Sequence, residues 1–145
     1  MDIQIVRQWF RANKNALYAG IAALGNDVAA QEALLENRSR QPFDREWIAA
    51  HQRNEAYKAT LSAIERSAVE SCAASIARDA FLFAMRASGS SRLAADVGDD
   101  FHLMAEALIG DVADGFALSL LASYEQGRVP DNDMARTKEN PLLAG

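Results

Sequence analysis

Projected at 100° per residue, Ile3, Val6, Phe10, Leu17, Ile21, Leu24, Val28 and Leu35 fall within one narrow sector, the pattern of an amphipathic helix. The phase is kept through Asn13-Lys14-Asn15, Gly20 and Gly25-Asn26, which predicts one helix over about residues 2–38, bent near Gly25. Asp2 is its expected N-cap. Arg40-Gln41-Pro42-Phe43 reads as a turn, because proline disfavours a helical residue before it. Asp44 then caps a second predicted helix, with Glu46 in the first turn where the macrodipole favours negative charge. Trp47, Leu61, Ile64, Ala68, Ile76 and Phe83 form its apolar face, and Ser88-Gly89-Ser90-Ser91 stops it near Ala87. A short connection favours antiparallel neighbours, so the two segments predict a long two-helix hairpin.

Shorter elements follow. Ser91–Val97 has room for one or two turns, and Asp99 or Asp100 begins a helix to Ile109 with Phe101, Met104, Leu108 and Val112 on one face. Breaks are expected at Gly110-Asp111 and Asp114-Gly115. A last helix over about 115–126 carries Phe116, Leu118, Leu120 and Leu121 all around it, the mark of a buried helix. Gly127 and Pro130 end it. The expected fold is all-α: an antiparallel helical bundle built on the long hairpin, with two or three shorter helices packed on it. Residues 1–127 form one domain. Residues 128–145 have the composition of a tail, which left alone is expected to be disordered.

Helices of that length would each extend roughly 55–65 Å at 1.5 Å per residue. A domain of this size has a radius of gyration of only about 15 Å. The two estimates conflict, so the helices must bend or bury their extra flank against a partner.

Composition supports the helical reading. Of 145 residues, 29 are alanine, the strongest helix former, and only three are proline. The net charge of −5 comes with no basic cluster longer than Arg38-Ser39-Arg40, so nucleic-acid binding is not expected. No stretch reaches the roughly 18 apolar residues of a membrane span. The N-terminus, with Asp2 and Arg7 in a periodic pattern, does not read as a signal peptide. A lone cysteine, Cys72, fits a reducing compartment. The expected location is the cytoplasm.

Candidate chemistry is sparse. On the second helix His51, Lys58, Glu65, Cys72 and Asp79 recur at heptad spacing within the apolar face. Buried charge is costly unless paired. These residues therefore pair with Arg7, Lys14 or Arg38, snorkel at a splayed end, or line a groove. His51, Lys58, Glu65 and Asp79 are accordingly the candidate partner-binding residues. Histidine and glutamate at i,i+4 occur twice, as His51/Glu55 and His102/Glu106, and Asp99 precedes His102 by three. His102, Glu106 and Asp99 are the candidate metal ligands, although dimetal helical bundles usually use Glu-x-x-His. Glu32–Glu36 and Glu106–Asp114 resemble acidic motifs of all-α nucleotide pyrophosphohydrolases, but their separation is too long and the doubled glutamate is missing, so that family is not assigned. Neither a nucleophile elbow nor a glycine-rich phosphate loop occurs, and no cofactor is expected.

These features favour a non-enzymatic protein-binding module acting on a protein partner or a second copy of itself as a homodimer. A small acidic bacterial inhibitor, an immunity protein or a chaperone would fit, docking through the hairpin. The alternative is a metal-dependent all-α enzyme using histidine and carboxylates on helices.

Overall fold

The computed structural model describes residues 1–143. Among them are seven α-helices and no strand: α1 Ile3–Ala12, α2 Lys14–Leu24, α3 Val28–Ser39, α4 Phe43–Lys58, α5 Ala63–Ser88, α6 Ser91–Ile109 and α7 Gly115–Glu125. The helical content and the bundle built on a hairpin agree with the sequence pattern. The boundaries differ, and each difference has a local cause.

The segment expected as one helix over 2–38 is three. Asn13 makes a one-residue interruption, its side-chain amide donating to Trp9 O at 2.8 Å. Gly25 takes φ +53°, a left-handed conformation that favours glycine and ends α2. Asp27 then caps α3 by accepting from the Ala30 N–H at 3.1 Å. The second long segment divides at Ala59–Ser62. There Ser62 and Glu65 form a reciprocal capping box, each side chain accepting the other residue's backbone N–H at 3.2 Å. These breaks remove the conflict over length: α5, the longest helix, has 26 residues and extends about 39 Å.

The pair with the most extensive packing is α5 and α6, joined through Gly89 at φ +68°. The face α5 turns inward is Val69, Cys72, Ala73, Ile76, Ala80 and Ala84, recurring at three and four residues. Four of these side chains are alanine or cysteine, which lets α6 come close. A Cβ on Gly98 of α6 would lie 3.4 Å from Phe81 Cβ. The expected short turn and helix at 91–109 are one continuous helix across that glycine, and from Leu103 to Ile109 every residue of it is buried.

Around this hairpin α1 and α2 pack on α5, while α4 and α7 pack on α6. Val6, Phe10, Leu17, Ile21 and Leu35 are buried as the periodicity predicts, whereas Val28 and Ile64 lie 61% and 84% exposed beside the two breaks. Helix α7 begins at the Asp114 cap and is buried on most sides, as expected. The tail is strapped down. Val129 and Met134 are buried, the Asn132 side chain accepts from the Phe43 N–H and donates to Asn37 O, and Arg136 holds Glu46 through two bonds of 2.8 and 2.9 Å.

Candidate partner-binding surface

The break at Ala59–Ser62 decides where the polar stripe goes. It leaves His51 and Lys58 on α4, and Glu65, Cys72 and Asp79 on α5, so the expected single row does not exist. His51 is exposed and stacked on Trp47, with ring centroids 5.8 Å apart. Glu65 is occupied in the capping box, whose hydrogen bonds hold its carboxyl below the ordinary range. Cys72 is a fully buried core residue. Asp79 is exposed on α5.

Lys58 is buried, with its ammonium 2.7 Å from Glu106 and 2.8 Å from Glu55. Burial alone would lower its pKa, but these carboxylates outweigh it and raise the value. Glu106 is only 1% exposed and also faces His102 Nδ1 at 3.4 Å. Burial pushes the Glu106 carboxyl up, and the hydrogen bonds from His102 and Lys58 bring it below its ordinary range. The candidate metal ligands are thus divided. Glu106 is held by a lysine, and Asp99 lies on the exposed side of α6. Among the described residues no group of three or more His, Cys, Asp or Glu side chains is placed to hold a metal ion.

A second buried network was not anticipated from the sequence. Arg38 of α3 grips Asp100 of α6 through two bonds of 2.8 and 2.9 Å and donates a third, at 2.9 Å, to Pro130 O in the tail. Trp47 Nε1 at 3.0 Å and the Tyr124 hydroxyl at 2.7 Å complete the shell around the Asp100 carboxylate, which is fully buried. The Arg38 guanidinium also lies over the Phe43 ring at 4.7 Å. Burial and the adjacent Asp100 charge push the Tyr124 phenol well above its ordinary range. One signal was available: Leu93, Val97, Asp100, Met104 and Leu108 share a helical face, which puts a carboxylate at a core position. In the same way Gln31, Leu35 and Arg38 continue the stripe of α3.

These networks tie α3, α4, α6, α7 and the tail together, and two of the depressions on the outside carry charged rims. One, between α3, α4 and α6, is rimmed by Asp44, Asp96, Asp99 and Arg92 above Trp47. Burial and the nearby Asp100 raise the Asp96 and Asp99 carboxyls, and Asp96 raises Asp99 further. The other is a furrow of about 560 Å³ between α2 and α5, floored by Tyr18, Leu82 and Phe83 and edged by Lys14, Asp79 and Arg86. Both are open surface features, suited to receiving side chains of a partner.

The described residues thus form a helical body with open, charge-rimmed depressions on its surface. A family model described as Immunity protein PIM1 matches residues 10–131, and the chain belongs to that family. Its role is that of an immunity protein, a non-enzymatic protein that acts by binding a protein partner. The metal-dependent alternative gains no support from the described residues. No curated protein matches the chain, and no solved structure does. Among the described residues no helix is long and apolar enough to cross a membrane.

Proposed function

We propose that this protein acts in the bacterial cytoplasm, binding a protein toxin and holding it inactive until the toxin leaves the cell. The observation that carries the reading is the family match over residues 10–131. The geometry supports it. The buried Arg38–Asp100 and Lys58–Glu106 pairs fix the helices before any partner arrives, which limits the ordering cost of association. The partner docks on the outer faces of the helices, where α5 carries Asp79 and the neighbouring furrow.

Co-expression tests it. Cells producing the cognate toxin should grow only when this chain is present, and the two proteins should elute together as a stable complex. Toxin-producing cells that die at the same rate with and without this chain would refute the reading.

A further inference from the structure

The furrow between α2 and α5 is unusual in its charge. Its floor is apolar, with the Tyr18 and Phe83 rings 4.7 Å apart and Ala19 and Ala22 leaving room for a backbone to approach. Toward α1 it continues into a second depression, which shares Lys14, Tyr18 and Asp79 and adds Arg7 and Arg11. The rim of the combined furrow therefore carries Arg7, Arg11 and Lys14 on one wall and Arg86 on the other, with Asp79 as the one acid. None of these four cations enters an ion pair among the described residues, whereas Arg38, Arg53, Lys58 and Arg136 are each bound to a carboxylate. A chain of net charge −5 thus gathers positive charge outside any ion pair along this apolar furrow.

We propose that this furrow seats an acidic amphipathic helix of the partner toxin, its aliphatic face on Tyr18, Leu82 and Phe83 and its carboxylates between Arg7, Arg11, Lys14 and Arg86. The proposal rests on the toxin-binding reading above. Two features favour such a helix. Arg7 and Arg11, one turn apart on α1, and Lys14, just past the Asn13 interruption, line the same wall and can meet carboxylates on successive turns of an opposing helix. The open furrow between two helices, with alanines in its floor, suits the helix-in-groove mode, in which apolar anchors at i, i+3/i+4 and i+7 enter an apolar groove. A nucleic acid fits less well. Its binding depends on neutralising many phosphates, and the chain's overall charge opposes it.

The test uses a fluorescein-labelled amphipathic helical peptide with leucine on one face and glutamate on the flanks, followed by fluorescence anisotropy. The comparison probes are the same peptide with lysine for glutamate and a labelled single-stranded oligonucleotide. The glutamate peptide should bind, and added salt should weaken it. The double variant Lys14→Glu/Arg86→Glu should lower its affinity by about tenfold or more, as expected for reversing exposed charges beside a bound chain. Leu82→Asp should do the same by a separate route, while Arg45→Glu on α4, outside the furrow, should change nothing. Circular dichroism verifies that each variant keeps its helices.

Equal binding of both peptides, no binding of the glutamate peptide, or a glutamate peptide indifferent to the furrow variants would overturn the proposal. So would tighter capture of the oligonucleotide, or self-association in sedimentation that Leu82→Asp abolishes. The two levels separate cleanly. A toxin complex that survives Lys14→Glu/Arg86→Glu unweakened removes the furrow and leaves toxin binding standing. Wild-type protein that fails to protect in the co-expression experiment removes the toxin-binding reading itself, whatever the peptide does.

Discussion

Asp100 serves four donors at once: two from Arg38, one from Trp47 and one from Tyr124. Removing it strands a guanidinium that is only 7% exposed. Breaking a buried ion pair from one side costs far more than the pair's net contribution, because the remaining charge stays buried without a partner. Asp100→Ala should therefore destabilise the fold by about 3–5 kcal/mol, read from the midpoint of urea unfolding. Glu106 makes a pH-dependent contribution whose sign is fixed. Its folded-state pKa is depressed by Lys58 and His102, so its stabilisation is present above the unfolded carboxyl value near ~4.3 and is lost as pH falls through the folded value. Asp96 and Asp99 shift upward and act in the opposite sense. The difference between wild type and Glu106→Gln isolates the first effect: the wild-type advantage should shrink on acidification through that window in pH-resolved denaturation.

At the scale of elements, the decisive features are close approaches and caps. Gly20 of α2 faces the chain just after α7, and a Cβ there would sit 2.6 Å from the Gly127 carbonyl carbon and oxygen. Glycine to alanine inside a helix ordinarily stabilises by about 1 kcal/mol through propensity. Here backbone stands in the way and cannot rotate aside as a side chain would. Gly20→Ala should reverse that sign and cost about 1–3 kcal/mol, the usual range for overpacking, measurable as a lowered Tm. The caps were readable in the sequence. Ser62-Ala63-Ile64-Glu65 is a capping box and Asp27 an N-cap followed by a helical run. An apolar phase that continues across a break conceals it, since a helix can stop, turn and resume with its apolar residues still directed at the same core.

For the whole molecule, the tail works as a strap rather than an appendage. It supplies Val129 and Met134 to the core, an acceptor for Arg38 at Pro130 O, and the Asn132 side chain that bridges α3 and α4. Truncation after Gly127 removes all of these together. It should destabilise the protein by more than about 2 kcal/mol, from two buried apolar side chains and an orphaned bond of a buried guanidinium. Loss of near-ultraviolet circular dichroism at lower denaturant would report it. Net charge is also a property of this scale, and it does not describe each face: the chain totals −5, yet the furrow between α2 and α5 is rimmed mainly by cations.

The helical class, the turn at Pro42, the stop at Gly89 and the limits of α7 are legible along the chain, because they depend on local periodicity and on residues with restricted or unusual backbone preferences. Much of the core was legible for the same reason, from Val6 through Leu35 and again from Phe101 through Leu108. Which charges meet depends on the packing of distant helices. Arg38 and Asp100 are 62 residues apart, Lys58 and Glu106 pair across two helices, and whether such groups are neutralised depends on which helices become neighbours. The same packing decides that Arg7, Arg11, Lys14 and Arg86 share one furrow. Helical phase says which way a side chain points from its own axis. The position of one axis against another is set by long-range packing, in this chain by the small-residue face of α5 against α6.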